Sequence, residues 1–282
     1  MKKRIALFAV AFMILGLSGS AVLALSPMGP PKASLGQDQW AIGIEYSHEK
    51  MDLEASSTIS ETIMTDPPIV APPQNAIHEI KDLKSNIVMG TVGYGISDNW
   101  DAFLRLGAAN GECDIDQTYS DGTIDQYQGF DGGFGFAWGL GTKVTIWEDN
   151  DISWGGLLQM AWAKPGDSDI SLSGDPNYSG NAEIDFWEVQ LAIGPTWQMN
   201  DELSIYGGPF LHFVDGDLDI SGKTFDMGDE LISEVSGDIE EKSQFGGYVG
   251  ASWELSEDTS CFIECQLTGD AWGIGIGAAQ KF

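Results

Sequence analysis

Apolar and polar residues alternate with a period of two along most of this chain, the pattern of strands that have one apolar face. The clearest run ends the sequence. It places five apolar side chains on one face, with Gly273, Gly275 and Gly277 on the other; the apolar five are Trp272, Ile274, Ile276, Ala278 and Phe282. Gln280 is its one polar break. This run predicts an extended strand that closes a sheet.

Ten such segments begin near Trp40, Asn86, Trp100, Phe134, Ile152, Trp187, Leu203, Phe245, Cys261 and Trp272. Short acidic turns alternate with long polar connections, which lie at 51–85, 109–132, 164–182 and 215–243. An even strand number and connections sorted by length are typical of a membrane barrel. The pattern predicts an all-β fold, a closed antiparallel up-and-down transmembrane β-barrel of about ten strands. A misread hairpin would make eight strands, and a hairpin hidden in a long connection would make twelve.

The N-terminus predicts secretion. A basic start, Lys2 to Arg4, precedes an apolar run and small residues near Ala21 and Ala24. That layout is typical of a cleaved signal peptide at residues 1–24. The alternative is a permanent helical anchor, but glycines and serines interrupt the run before it reaches the length of a membrane span. We expect residues 25–38 to form a periplasmic linker and residues 39–282 to form the barrel, with the long acidic connections extracellular.

Composition and charge agree with a sheet protein outside the cytoplasm. The chain has 36 glycines, 11% aromatic residues and a formal net charge of −30. So acidic a surface repels nucleic acid and favours cations. Many Trp and Tyr residues lie near strand ends, as in the aromatic girdles of membrane barrels. The alternative is that they form the core of a secreted soluble β-sandwich.

The hairpin from Tyr94 to Gly107, Y-G-I-S-D-N-W-D-A-F-L-R-L-G, and the terminal strand carry a resemblance. With the overall architecture, they resemble the small bacterial outer-membrane β-barrel proteins of the OmpA, OmpX, OmpW and opacity-protein type, without a peptidoglycan-binding domain. The resemblance implies a bacterial outer-membrane location, with membrane lipid and the barrel-insertion machinery as partners. It also implies an assembly signal made of Trp272, Ile274, Ile276, Ala278 and Phe282.

The face opposite the apolar one would line the barrel interior. We expect a lumen charge network of Glu45, Asp101, Arg105, Lys143, Glu188, His212, Glu254 and Glu264. Buried charges must be paired or hydrated, because isolated ones are costly. One interpretation is a structural network in which the two bases neutralise the neighbouring acids. The other is a narrow cation-preferring pore, since the inward acids outnumber the bases.

The long connections suggest a weak metal site. Asp215, Asp217 and Asp219 alternate like the first ligands of a calcium loop. Ile220 stands where such a loop requires glycine, so an alternative is a strand that extends above the membrane with its acids facing water. We predict no dedicated cofactor, and at most loose binding of a divalent cation such as calcium.

Few residues of the chain could act as catalytic groups. The chain has three histidines, His48, His78 and His212, and none lies at a recognisable spacing from a nucleophile. We therefore expect a structural or surface-interaction protein and not an enzyme. The alternative is an outer-membrane barrel enzyme, a protease or a lipid-modifying enzyme, with a histidine at its outer rim. The extracellular partner is not identified by the sequence.

Overall fold

The structure is a computed structural model that describes residues 26–226, 229–241 and 243–282. The predicted signal peptide lies outside these residues. Within them the chain forms strands β1 (Trp40–Ile63), β2 (Ile69–Val70), β3 (Gln74–Ser97), β4 (Trp100–Tyr119), β5 (Ile124–Asp149), β6 (Ile152–Ala163), β7 (Ser168–Leu172), β8 (Asp175–Gln198), β9 (Leu203–Asp226), β10 (Asp229–Glu241), β11 (Phe245–Glu254), β12 (Thr259–Leu267) and β13 (Ala271–Lys281). The same residues contain no helix long and apolar enough to cross a membrane.

Ten of these strands close into a ring in the order β1-β3-β4-β5-β6-β8-β9-β11-β12-β13, with every neighbouring pair antiparallel. The ring closes where β13 pairs with β1, from Ala41 opposite Lys281 to Met51 opposite Ala271. The four short acidic turns all lie at one end, which we call the turn end. The predicted ten-stranded up-and-down barrel is confirmed.

The outer face of this ring is apolar. Half or more of the side-chain surface of Ile42, Ile44 and Leu106 is exposed, and many other large apolar side chains point outward beside them. Each of them lies on the strand face that the alternation predicts. A closed ring leaves no unpaired strand edge, so its backbone groups are satisfied in hydrocarbon. We call the part of the ten-stranded ring with this apolar outer face the span. Its outer surface rules out the alternative of a secreted soluble β-sandwich.

Beyond the span the barrel continues as a second ring, which we call the extension. Here β7 takes the place of β6, and β10 takes the place of β11, β12 and β13 between β9 and β1. The long connections predicted as loops are therefore mostly strands, and that expectation was wrong. Their alternation continues apart from a few bulges, but their outward residues change from apolar to polar, which made them look like loops in the sequence.

The change in polarity of the two strand faces between the span and the extension is clearest along β1. Its inward face is polar in the span, with Ser47 and Glu49 buried, and apolar from Met51 through Leu53 and onward. Its outward face changes in the opposite sense, from Ile44 to residues such as Ser56. Strands keep one face inward along their whole length, so the switch marks where the surroundings of the barrel change from lipid to water.

The extension has a packed apolar interior. Side chains from eight strands meet there with almost no exposed surface, among them Leu53, Ile80, Phe130, Phe186, Leu218 and Ile239. Interiors of this kind are as densely packed as organic crystals and leave few voids. The extension is therefore a solid, soluble-type core attached to the end of the span and not a set of loose loops.

The boundaries of the span can be tested by thiol labelling. We expect the extension to lie outside the cell, as the long side of such barrels does. A Ser56→Cys variant should therefore react with a membrane-impermeant maleimide on intact cells. A Leu191→Cys variant should not react, because its side chain faces lipid. A Glu257→Cys variant, at the turn end, should react only after the outer membrane is permeabilised.

The unsubstituted chain is the control, since Cys113 is buried and Cys261 and Cys265 are half-buried on the outer face of the span. Labelling of Leu191→Cys at the rate of Ser56→Cys would contradict the assigned span. Labelling of Glu257→Cys on intact cells would show that the turn end, and not the extension, lies outside the cell.

Candidate functional site

The lumen of the span is occupied by the N-terminal segment of the chain, residues 26–36. Ser26, the first described residue, lies midway along the lumen, and the segment runs from it down to the turn end, where β1 begins. Ser26, Met28, Ala33 and Leu35 are buried. This corrects the expectation for residues 25–38, because the described part of the supposed linker lies inside the barrel and not outside it. We call residues 26–36 the plug.

Glycines on the inward strand faces make room for the plug. A Cβ built on Gly155 would lie 2.6 Å from backbone atoms of Pro31 and Lys32, and one on Gly275 would lie 2.7 Å from the Pro27 side chain. Real Cβ atoms do not approach backbone so closely. Gly275 of the terminal strand thus has a specific role, since it lets the plug lie against the barrel wall.

Arg105 joins the plug to two strands. Its Nε lies 2.8 Å from Glu45 Oε2, its Nη1 donates to Gln159 Oε1 at 3.0 Å, and its Nη2 donates to the Pro27 carbonyl at 2.6 Å. The guanidinium also lies 4.7 Å from the centre of the Phe103 ring. A planar group with five donors suits a buried site of this kind. Arg105 therefore holds the plug as well as neutralising a carboxylate.

Three glutamines extend the network around the Ser26 carbonyl. Gln159 and Gln266 both donate to that oxygen, at 3.2 and 3.1 Å. Gln159 also donates to Gln190 at 2.6 Å, and Gln190 donates to Gln266 at 3.3 Å. Gln266 in turn donates to Glu264 at 2.6 Å. These amides form a belt across the lumen, and the backbone of the plug is part of it.

Two acids of the predicted network bind plug amides. Glu264 Oε1 accepts from the Met28 amide at 2.9 Å, and Asp101 accepts from the amides of Ser34 and Leu35. Hydrogen bonds from backbone N–H groups to a carboxylate are charge-assisted and stronger than neutral ones. The acids that sequence reasoning assigned to the lumen therefore serve in part to bind the polar backbone of the plug.

A second group of charges lies at the upper end of the plug, next to the extension. Glu188 accepts from the Ser26 amide at 3.2 Å and from its hydroxyl at 2.9 Å. His212 lies between Glu188, at 3.5 Å, and Glu241, at 2.8 Å. Glu49 is fully buried beside them, with Glu188 and His212 as its charged neighbours. We call Glu49, Glu188, His212 and Glu241 the acid pocket.

The predicted lumen residues are mostly brought together. Glu45, Asp101, Arg105, Lys143, Glu188, His212 and Glu264 line the interior, while Glu254 is exposed at the mouth of the turn end. The sequence analysis missed Glu49, Glu241 and Gln266. Glu49 could have been found, because it continues the inward series of odd-numbered residues after Glu45 and Ser47. Glu241 could not, because its region was taken for a loop.

The residues of the predicted assembly signal lie on β13 at the barrel seam. Trp272, Ile274, Ile276 and Ala278 face outward between β12 and β1, and Phe282 is exposed at the turn end. The Phe282 amide and carbonyl both bond to Trp40, at 2.8 and 3.4 Å. This geometry joins the last residue to the first strand. Recognition of these residues by the insertion machinery stays a prediction.

Asp215, Asp217 and Asp219 lie on the outward, wet face of β9 in the extension. Asp217 stands between Asp185 on β8 and Asp238 on β10. Burial and these facing acids raise the pKa of Asp217 above its ordinary value. The three aspartates thus belong to a strand and not to a calcium loop. Among the described residues no three metal-ligating side chains are grouped closely enough to hold an ion.

A separate polar cluster is enclosed in the apolar extension. Ser57 Oγ lies 2.9 Å from His78 Nδ1, and His78 Nε2 lies 2.7 Å from Gln117 Oε1. The Tyr127 hydroxyl donates to Gln117 at 3.2 Å, and its ring stacks on the histidine. All four side chains are buried. Burial lowers the pKa of His78, so its imidazole is neutral at pH 7. The serine and histidine pair therefore has the contacts of a catalytic pair but is enclosed among buried side chains.

No protein-family model matches this sequence, and no curated protein matches it. Similar solved structures include the outer-membrane protein OprG from Pseudomonas aeruginosa, with a TM-score of 0.38, 11% identity and coverage of 88% of this chain and 97% of that one. The outer-membrane protease OmpT from Escherichia coli has a TM-score of 0.41, 8% identity and coverage of 86% and 97%. The Pseudomonas putida toluene transporter TodX has a TM-score of 0.35, 7% identity and coverage of 93% of this chain and 99% of that one.

Likeness at this level transfers no ligand and no activity. The closed ring and its apolar outer surface stand without it, and they give this chain the architecture of a membrane-spanning β-barrel whose outer face contacts lipid.

The enclosed histidine generates a pH prediction. Because burial holds the pKa of His78 below the value of about 6.5 for a free imidazole, the unfolded chain binds a proton that the folded chain resists. Stability from this group is complete above that value and is lost as pH falls through the folded pKa. The urea midpoint should fall between about pH 7.5 and about pH 5, and it should fall less in His78→Gln.

Other acids also titrate over this range, so the difference between the two proteins is the quantity to read. His48→Gln is the matched control, because His48 bonds to Asn86 on the outer face and not in the core. It should lose as much stability as the unsubstituted protein. If His78→Gln lost as much stability as the unsubstituted protein between these pH values, the lowered pKa of His78 would be contradicted.

Proposed function

We propose that this protein is a plugged outer-membrane barrel with a structural or surface-interaction role, in which the rigid extension presents its outer surface to the surroundings. The observation that carries the proposal is the filled interior. The plug and its polar network occupy the span, and an apolar core occupies the extension. The two fillings lie in series along the axis, so both would have to be displaced before the barrel could conduct.

The free space that remains in the span supports this reading. A cavity of about 170 Å³ opens beside the plug near the turn end, lined by Pro30, Ser34, Asp101 and Arg105 among others. Small barrels have interiors just wide enough for side chains to fill. The acid pocket and then the packed residues Met51, Phe186 and Val214 follow above it. A hydrated ion would have to cross that apolar layer.

The outer surface of the extension offers a place for interaction. A shallow concavity of about 490 Å³ crosses β8, β9, β10 and β1. Hydroxyl and carboxylate side chains line it, including Thr58, Ser60, Glu183, Asp219, Ser221, Glu234 and Ser236. Its acids and the neighbouring row of Asp185, Asp217 and Asp238 favour a positively charged partner. Loose binding of a divalent cation to this surface is part of the proposal.

A cation-preferring pore is the second candidate, and the inward acids favour it once the plug is removed. With the plug displaced, Asp101 and Glu264 would lose their backbone partners, and these two acids and Glu45 would face water. Rings of acids make a channel prefer cations. The conductance of the unsubstituted barrel therefore distinguishes the two candidate functions.

Planar-bilayer recording tests the proposal. The unsubstituted barrel should show no conductance above baseline, because the plug and the apolar layer block the axis. Gly155→Val should loosen the plug, because its new side chain would meet the Pro31 and Lys32 backbone. It should raise the rate at which the plug amides, such as that of Met28, exchange with solvent, while the barrel stays silent because the apolar core of the extension still blocks the axis. Gly156→Val is the matched control and should leave the exchange of the plug amides unchanged, since a Cβ there has only ordinary contacts, the nearest at 3.7 Å.

A heat-modifiable band on a gel should first show that both variants fold. Steady conductance in the unsubstituted protein would contradict the proposal. So would equal exchange rates of the plug amides in the two glycine variants, because they would show that the Gly155 contact does not hold the plug.

A further inference from the structure

The cavity beside the plug is lined by a base whose charge has no direct partner. Arg105, the first base of the predicted lumen network, contacts Glu45, Gln159 and the plug. Lys143, the second base, also lines the cavity. Its ammonium group has no hydrogen bond and no ion pair to any of the described residues. A charge enclosed in the lumen must be paired or hydrated, so Lys143 can offer three N–H donors to a molecule in the cavity.

The acids around this lysine already have other partners. Glu45, Asp101 and Glu264 attract Lys143 from a distance. Glu45 is paired with Arg105, and the other two acids accept hydrogen bonds from plug amides. Each carboxylate is therefore satisfied by a closer group, and none of the three contacts the ammonium.

The charge that acts most strongly on Lys143 is a second cation. Arg105 has a larger electrostatic effect on the lysine than any single acid. Both cations lie over one aromatic ring, with the Arg105 guanidinium 4.7 Å and the Lys143 ammonium 5.9 Å from the centre of the Phe103 ring. Like charges repel more strongly where little water lies between them. An anion beside both cations would offset this repulsion.

The cavity also has room and apolar surface for a small organic body. Its volume of about 170 Å³ is close to the ~150 Å³ of an engineered cavity that holds benzene. Phe103 and Phe262 line it, and so does Thr91, whose buried hydroxyl has no hydrogen-bond partner among the described residues. A Cβ built on Gly29 of the plug would lie 3.2 Å from Lys143 Nζ and 3.5 Å from the Phe262 ring. Apolar walls with a few convergent polar groups are typical of ligand sites.

We propose that this cavity binds the carboxylate of a small organic acid whose body is no larger than one aromatic ring. The carboxylate accepts hydrogen bonds from the Lys143 ammonium and lies beside the Arg105 guanidinium, while the body packs on Phe103 and Phe262. Such charge-assisted hydrogen bonds are roughly twice as strong as neutral ones. The ligand enters at the turn end, where Glu254 is exposed at the mouth of the cavity.

The inference goes beyond the proposed surface-interaction role, because the extension takes no part in it. It still rests on the plug, since Pro30, Lys32, Ser34 and Leu35 of the plug form one side of the cavity.

Calorimetric titration of the full chain in detergent micelles tests which charge the cavity selects. Benzoate, benzamide and benzamidine have nearly the same shape and are negative, neutral and positive. Benzoate should give heat above a blank of empty micelles, and benzamide should bind about tenfold more weakly or less, because it forms no charged hydrogen bond. Benzamidine should give no heat above the blank. Tighter binding of benzamidine than of benzoate would overturn the inference, because the acids of the lumen would then decide the selectivity.

A lysine variant tests where benzoate binds. Lys143→Met keeps most of the side-chain length and removes the charge, so it should weaken benzoate binding about tenfold or more. Lys223→Met is the matched control, because the Lys223 side chain is exposed on the extension, and it should bind benzoate as the unsubstituted protein does. A heat-modifiable band should show that both variants fold. Equal benzoate affinity in the two variants would refute the site.

Reductive methylation of the unsubstituted protein keeps the inference testable if Lys143→Met does not fold. Formaldehyde is small enough to enter the cavity, so Lys143 should be methylated in the free protein. Saturating benzoate should slow that methylation several-fold, benzamidine should not, and Lys223 should react at the same rate throughout. A Lys143 that does not react in the free protein, or that benzoate does not protect, would overturn the inference.

Failure of the inference can be told apart from failure of the plug. Exchange of the plug amides reports whether residues 26–36 are bound in the lumen. A barrel with protected plug amides that does not bind benzoate contradicts only the inference, whereas unprotected plug amides contradict the plug itself and, with it, the cavity.

Discussion

A polar lumen inside a hydrocarbon shell must satisfy its own hydrogen bonds and charges, and this constraint governs the rest of the structure. The span has apolar residues outside, so its period-two strands turn polar side chains inward. Ten strands enclose more space than those side chains fill with mutual contacts. The chain supplies the missing partners from its own N-terminal segment, whose amides and carbonyls bond to Asp101, Arg105, Gln159, Glu188 and Glu264.

The same constraint applies to the extension, where water and not lipid surrounds the barrel. Once the strands rise above the lipid, water lies outside and the inward face can be apolar. Residues Met51, Leu53 and Ile59 of β1 then pack as in a soluble core. The outward face becomes acidic, which places most of the net negative charge on the exposed part of the molecule. One barrel thus has two interiors, and the acid pocket lies at the boundary between them.

Alternation in the sequence was enough to predict the ten span strands, their outward faces and most lumen charges, because both faces of a strand are determined by its period. It was not enough for the extension, since the outward residues there are polar and the hydropathy contrast with loops is lost. The plug could not be predicted either. Its residues have no periodicity, and its position depends on Gly155 and Gly275, which lie far from it in the sequence.

The central claim is that residues 26–36 are bound inside the span, and amide hydrogen exchange tests it most directly. Mass spectrometry of the folded barrel should find the amides of Met28, Ala33, Ser34 and Leu35 protected, because each donates to a side chain of the barrel wall. Their protection should match that of the span strands. Exchange of these amides at the rate of an unfolded peptide, while the strands stay protected, would contradict the account.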